Sequence, residues 1–483
     1  MGRRGKLSMG CGTCRKRKIR CDETEPECRQ CINAGWMCPR YDDLKDRLFQ
    51  NRTVADFSSS VGPDAEKIPA VEYLRAGPLQ QDAMHHSPSL SPPPHIIQPV
   101  TNRAIDLFLA SHVPRDKVFI RGCFEYLPDF RASHSRNLGF SASLNAVALA
   151  AYGNTVQSTK ILIQARSYLG VAIRRINKAL MSPDEAIKDS TIISIMLLAT
   201  FETITCRNQK SLQDCDMHTK GATAIIEMRG RQQLQSLLGM QLFVQMCGDI
   251  SRGCLQRSVR VPSGVLAARS HAATLMGHLD TAWHLGDMII EVAEFRANVK
   301  EGVFRTPGTV IKAAQDLDAQ LYDLAISVPT EHSFKISQPH CNERLVWGGF
   351  YHVYPSFWAA YFWNNLRTCR ILLHQEICRQ AEMITVQKQD QLVLSRNLVR
   401  QLGIDICATV PQYSGVLPLL VPHNSMAKPP PELLPGSSST GSDDHRRWIV
   451  DRARDIGRST GIHQAFALAD VLEKQEKIHI WED

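Results

Sequence analysis

Six of the fifteen cysteines lie near the start of the chain and follow a regular pattern. The unit C-x2-C-x6-C occurs twice, once on each side of a six-residue spacer, in Cys11, Cys14, Cys21, Cys28, Cys31 and Cys38. Thiolates are strong zinc ligands, and zinc prefers four ligands in a tetrahedron. The pattern therefore predicts that these six cysteines bind metal.

The number of thiolates indicates how the metal is shared. Six thiolates fill two tetrahedra only when two of them bridge both ions, which predicts two zinc ions per chain. The repeat favours the first cysteine of each unit, Cys11 and Cys28, as the bridges. The alternative is a single four-thiolate site, which would leave two spare thiols in a basic setting that lowers their pKa.

Positive charge is concentrated in the same segment. Residues 1–40 contain ten Lys and Arg side chains and four acidic ones, so they carry six of the eight net positive charges of the 483-residue chain. Between Cys14 and Cys21 the side chains are Arg15, Lys16, Arg17, Lys18, Ile19 and Arg20. The matching stretch of the second unit, residues 32–37, carries no charge. We expect a short helix from Cys14 to Cys21 to face a polyanion.

This segment resembles the DNA-binding domain of fungal zinc binuclear cluster transcription factors. The resemblance rests on the six cysteines, on the basic run that ends in Cys21-Asp22, and on Pro26 ahead of Cys28. It implies that Lys18 reads a GC-rich triplet, usually CGG, with Arg17 beside it. It assigns Arg15 and Arg20 to phosphate contacts, and Lys16 belongs to the same DNA-binding set.

Family members usually dimerise through a coiled coil just after the cluster. Here Leu44 and Leu48 are four residues apart, but the heptad register continues with Asn51 and Ala55. Both a homodimer and a monomer therefore stay open.

The rest of the chain predicts a linker and a helical body. Residues 42–100 are polar and rich in Ser and Pro, which is typical of a flexible linker between a cluster domain at 1–41 and a body at 101–483. Apolar residues beyond 100 recur at helical spacing, so the fold class is mostly all-α. Ser182-Pro183-Asp184-Glu185 is typical of a helix start, and we expect a long, fully buried helix after it.

The body resembles the fungal-specific regulatory domain of the same regulators. The matching motifs include His218-Thr-Lys-Gly221-Ala222 and Arg370-Ile-Leu-Leu373. One departure is a Pro- and Ser-rich stretch where relatives carry an apolar helix, which indicates either that a helix has been lost or that a disordered insert lies near 422–445.

These features favour a sequence-specific transcription factor of the RNA polymerase II type, located in the nucleus. The resemblance implies control of metabolic or secondary-metabolite genes, with double-stranded DNA, co-regulators and a small-molecule effector as partners. The alternative is a zinc-dependent protein-interaction adaptor, which would not need the basic run.

No phosphate-loop, nucleophile-elbow or HExxH motif indicates an enzyme. We find no signal peptide and no apolar run that would span a membrane, so we expect no membrane partner.

Overall fold

A computed structural model describes residues 13–14, 17–22, 24, 28–36, 38, 98–113, 124–206, 216–276, 280–340, 342–384, 389–414 and 442–474. The chain divides into two compact units, Met1–His95 and Ile96–Asp483. Most of the predicted linker, Leu44 and Leu48, and residues 422–441 of the predicted insert lie outside the described residues. The boundaries 1–41, 42–100 and 101–483 therefore stay predictions, as does the insert, although residues 442–445 begin a helix.

The first unit contains a short helix in each described half of the cysteine repeat. Thr13 and Cys14 are helical, and helix α1 spans Arg29–Asn33. The buried core of this unit consists of cysteines, with Trp36 packed against them. Among the described residues of this unit, no larger apolar core accompanies the cysteines, which is consistent with folding around metal.

The second unit is built almost entirely of helices, as the sequence predicted. The helices are α2 (Val100–His112), α3 (Leu127–His134), α4 (Leu138–Thr155), α5 (Thr159–Ala179), α6 (Pro183–Ala186), α7 (Asp189–Thr205), α8 (Asp216–Arg229), α9 (Leu237–Arg257), α10 (Ser263–Leu275), α11 (Thr281–Lys300), α12 (Pro307–Ser327), α13 (Phe357–Glu382), α14 (Gln389–Cys407), α15 (Val410–Tyr413), α16 (Ser442–Thr460) and α17 (Gln464–Glu473). Within the described ranges, none of these helices is long and apolar enough to cross a membrane.

The core of this unit forms around two groups of helices. Helix α4 packs against α2, α5 and α7, while α9, α11, α12, α13 and α14 pack in succession. Helix α7 has no exposed residue, as expected, but nine of its 17 residues are buried and the other eight are half-buried, so the prediction of full burial was too strong. Its start differs from the prediction, because the Pro183 turn forms the separate four-residue helix α6 and the chain bends before Asp189.

One small antiparallel sheet interrupts the helices. Strand β1 (Lys335–Ser337) pairs with β2 (Tyr351–Val353), with Ile336 opposite His352. The backbone N–H of His352 donates to the carbonyl of Ala408, which ties β2 to the end of α14. No sequence pattern predicted this sheet, since three-residue strands are too short to show an alternating pattern.

Candidate metal centre and nucleic-acid interface

The described cysteines of the first unit converge on one buried centre. Cys14, Cys28 and Cys31 are fully buried, and their sulfur atoms all lie within 4.8 Å of one another. The Sγ atoms of Cys14 and Cys28 are 3.7 Å apart. Four thiolates at 2.3 Å from a tetrahedral zinc would be separated by about 3.8 Å. The sulfur positions therefore fit zinc ligation.

Cys28 has a central place among the sulfur atoms. It belongs to the group with Cys14 and Cys31, and its sulfur also lies within 4.8 Å of ligand atoms of Cys21 and Asp22. A sulfur shared by two groups of ligands is what the bridging arrangement requires. The other predicted bridge, Cys11, lies outside the described residues, so the assignment of individual ligands stays a prediction.

Asp22 orders the spacer between the two cysteine units. Its carboxylate accepts hydrogen bonds from the backbone N–H of Arg29, at 3.1 and 3.3 Å, and from the hydroxyl of Thr24 at 3.0 Å. These hydrogen bonds connect the start of α1 to Asp22, which directly follows Cys21. No role for Asp22 was predicted, because the residue lies seven positions before the start of α1 and reaches it only through the fold of the spacer.

Both halves of the repeat end their helical turn in the same way. The backbone of Lys18 is left-handed, with φ of 57°, and Ile19 donates its N–H to the carbonyl of Cys14. Seventeen residues later Gly35 has φ of 65°, and Trp36 donates to the carbonyl of Cys31. A hydrogen bond from an N–H to the carbonyl five residues earlier, with a left-handed residue just before the donor, is the Schellman motif that ends helices. The predicted helix from Cys14 to Cys21 is therefore too long, because the chain reverses at Lys18.

The predicted reading residues lie on an exposed surface beside the buried sulfur atoms. Arg17, Lys18 and Arg20 are all exposed, whereas Arg15 and Lys16 lie outside the described residues. The guanidinium carbon of Arg17 lies 4.0 Å from the centroid of the Trp36 ring. From the sequence, Trp36 was placed only among the uncharged residues of the second unit. Neither half of the repeat alone indicates this contact, because it forms between residues of different halves.

A second set of polar and charged groups joins three helices of the helical unit, where Asp318 and Arg370 are half-buried and His374 is buried. Asp318 on α12 accepts two hydrogen bonds from Arg370 on α13, at 2.7 and 3.0 Å, and lies 3.1 Å from Nε2 of His374. The Nδ1 atom of His374 lies 3.0 Å from the hydroxyl of Ser395 on α14. Burial alone raises the pKa of Asp318, but His374 and Arg370 outweigh burial and bring it to about 2.

A neighbouring cluster surrounds a buried arginine. Arg367 on α13 donates to the hydroxyl of Tyr354 at 2.6 Å and to Asn364 at 3.1 Å. His352 lies beside both Tyr354 and Arg367. Burial, followed by the charge of Arg367, lowers the pKa of His352 to about 3, so this imidazole is neutral near pH 7. These contacts brace strand β2 and the following Tyr354 against α13.

Comparison with known proteins shows two family matches. Residues 9–48 match the fungal Zn(2)-Cys(6) binuclear cluster domain, and residues 141–475 match the fungal specific transcription factor domain. The prediction of two zinc ions is confirmed by the first match, because a domain of this kind binds two. No solved structure matches the chain.

Curated relatives share short segments with the chain. The aspercryptin biosynthesis cluster-specific transcription regulator atnN of Emericella nidulans is 28% identical over 18% of this chain and 12% of the relative. The transcriptional activator protein acu-15 of Neurospora crassa is 43% identical over 9% of this chain and 5% of the relative. The transcription activator AMTR1 of Alternaria alternata is 37% identical over 16% of this chain and 9% of the relative. The chain thus spans at most about an eighth of the length of these relatives.

The second family match covers more than half of the chain, and the first lies on the cysteine cluster. The predicted resemblance is confirmed, and so is the predicted architecture of a small zinc cluster domain followed by a helical region. This family is a class of transcription factors, which is not a class of enzymes. The chain belongs to the fungal zinc binuclear cluster proteins that carry a fungal specific transcription factor domain.

Proposed function

We propose that this protein is a zinc-dependent, sequence-specific DNA-binding transcription factor that acts in the nucleus on RNA polymerase II genes. The observation that carries the proposal is the exposed row of Arg17, Lys18 and Arg20 immediately beside the buried sulfur cluster. Zinc, when bound, supplies no chemistry beyond clamping the backbone. The residues of the chain then present fixed positive charge to the phosphates and base edges of DNA.

We assign separate roles to the cations on this surface. Lys18 lies at the chain reversal, where its ammonium can donate to the N7 and O6 acceptors of guanine in a CGG-like triplet. Arg17 lies beside it, and Arg15, Lys16 and Arg20 contact phosphates. Cys11, Cys14, Cys21, Cys28, Cys31 and Cys38 are the proposed ligands of the two zinc ions, with Cys11 and Cys28 as bridges.

We assign regulation of the DNA reader to the helical unit. The side chains within each described polar cluster bond to one another and brace helices, and Ser395, the hydroxyl beside His374, is fully buried. Co-regulators and a small-molecule effector are its proposed partners, and a homodimer is the proposed assembly. Metabolic or secondary-metabolite genes are the proposed targets, in keeping with one relative that is named for a biosynthesis cluster.

A random-sequence selection with the purified full chain tests this function, with zinc quantified in the same sample. Two zinc ions per chain and an enriched GC-rich triplet are the expected result. Two triplets at fixed spacing would indicate a dimer on DNA, and one triplet a monomer. Two zinc ions with no enriched sequence would overturn the proposal and favour the protein-interaction adaptor.

A further inference from the structure

A contact that the metal does not make joins the two halves of the cysteine repeat. Arg17 belongs to the first unit and Trp36 to the second, and the guanidinium of Arg17 lies over the indole at 4.0 Å. Arg17 is exposed, whereas Trp36 is half-buried and packs against the cysteine core. The cysteine core therefore holds part of the indole in place, and one face of the ring contacts the guanidinium of Arg17.

The backbone anchors both partners of this stack. The N–H of Arg17 donates to the carbonyl of Thr13 at 3.1 Å, in the turn that ends at Lys18. The N–H of Trp36 donates to the carbonyl of Cys31 at 2.9 Å, next to the left-handed Gly35. Arg17 directly precedes the left-handed Lys18, and Trp36 directly follows the left-handed Gly35. The contact is thus set by two turns that the cysteines hold.

A guanidinium stacked on an aromatic ring keeps its hydrogen-bonding capacity. The interaction uses the flat face of the guanidinium, while the N–H donors point outward in its plane. An unrestrained exposed arginine loses rotamer freedom when it binds, and that loss weakens affinity. A stacked arginine has lost part of this freedom before DNA arrives, so Trp36 can raise affinity without touching DNA.

We propose that Trp36 is a positioning residue for DNA reading, which holds the Arg17 guanidinium beside Lys18 so that its N–H donors meet a base edge or phosphate of the bound duplex. This inference rests on the proposed DNA-binding function. It gives the uncharged second half of the repeat a specific task, since that half supplies the platform on which a cation of the first half is ordered.

The test uses the zinc-loaded full chain and two short duplexes, one with a single CGG triplet and one with the triplet permuted. Trp36→Ala is expected to weaken binding to the CGG duplex about tenfold, in the range of a cation–π contact. Trp36→Phe keeps an aromatic face and is expected to retain most of the affinity. Trp36→Leu is apolar without such a face and is expected to behave like Trp36→Ala. All three variants should keep two zinc ions.

A double-mutant cycle separates positioning from simple support of the fold. In an Arg17→Ala background, Trp36→Ala is expected to cause no further loss, because the cation that it positions is already gone. An equal loss in both backgrounds would overturn the proposal, since Trp36 would then act through the fold. Equal affinities of Trp36→Leu and Trp36→Phe for the CGG duplex would also overturn the proposal. This comparison decides the matter even if Trp36→Ala loses zinc.

The wild-type protein distinguishes failure of this inference from failure of the proposed function. A wild-type chain that holds two zinc ions but binds neither duplex would refute DNA reading and the role of Trp36 together. A wild-type chain that prefers the CGG duplex, with affinity unchanged in Trp36→Ala, would refute only the role of Trp36.

Discussion

Lys18 combines the proposed reading side chain with an unfavourable backbone conformation. Its φ of 57° lies in the left-handed region, which costs a residue with a Cβ atom about 1 kcal/mol but costs glycine almost nothing. The equivalent residue of the second half is Gly35, which has the same conformation. The first half of the cysteine repeat is therefore less stable with Lys18 than it would be with glycine at this position, where the chain reverses.

Two substitutions at Lys18 separate the side chain from the backbone. Lys18→Ala and Lys18→Gly both remove the ammonium, and both are expected to lose triplet preference at a cost of about 1–3 kcal/mol. Only Lys18→Gly relieves the backbone, so it should stabilise the zinc-bound fold by about 1 kcal/mol relative to Lys18→Ala. Competition binding to DNA measures the first effect, and resistance of bound zinc to a chelator measures the second. Retention of the selected triplet by either variant would show that Lys18 is not the reading residue.

Cys28 and Cys21 are predicted to differ in how many zinc ions they hold. Cys28→Ser removes a bridging ligand and is expected to eliminate both tightly bound ions, whereas Cys21→Ser removes a ligand of one ion and should leave the other. Zinc content after dialysis measures both variants. One tightly held ion in Cys28→Ser would contradict the shared-ligand arrangement.

At the scale of elements, long helices were predictable and their interruptions were not. The largely apolar centre of α7 predicts a helix without an exposed face, although Ser194, Thr200 and Glu202 also lie in this helix. The break between α6 and α7 follows from local backbone geometry at Ile187 and Lys188, which has no compositional signal. The hairpin that carries His352 is held by contacts with distant residues such as Ala408, so short-range patterns do not reveal it.

The ion pair between α12 and α13 is expected to make the stability of the helical unit depend on pH. The pKa of Asp318 is 3.8 in a model peptide and about 2 in the folded protein. Because the pKa of Asp318 is lower in the folded protein than in the unfolded chain, its ionised carboxylate stabilises the fold by about 2 kcal/mol above pH 3.8. This stabilisation is lost as pH falls from 3.8 towards 2. Asp318→Asn is expected to lower the free energy of unfolding near pH 7 by at least that amount, since it leaves Arg370 without a carboxylate.

Asp316→Asn is the matched control for Asp318→Asn. Asp316 is on the same helix and pairs with Lys312, but this pair is exposed, so its loss should change stability by less than about 0.5 kcal/mol. Urea unfolding, followed by circular dichroism between pH 2 and 7, measures both variants. Equal effects of the two substitutions would show that the half-buried pair of Asp318 and Arg370 contributes no more than an exposed pair.

At the scale of the whole molecule, the two units are stabilised by different interactions. The described core of Met1–His95 consists of cysteine sulfur atoms and Trp36, whereas Ile96–Asp483 has an extended apolar core drawn from most of its helices. This difference was predictable from the sequence, because six regularly spaced cysteines and a long stretch at helical spacing are both local patterns. The contact between Arg17 and Trp36 was not, since it depends on how the two halves fold back on each other.

Removal of zinc from the full chain is therefore expected to act on one unit alone. A strong chelator should abolish DNA binding, because without metal the first unit lacks the interactions that fold it. The helical signal at 222 nm and its thermal midpoint should stay nearly unchanged, because the apolar core of the second unit needs no metal. Added zinc should restore DNA binding, and the same addition to Cys28→Ser should not. A large loss of helical signal on chelation would mean that metal also supports the helical unit, and DNA binding that survives complete loss of zinc would place the DNA-binding surface outside the cysteine cluster.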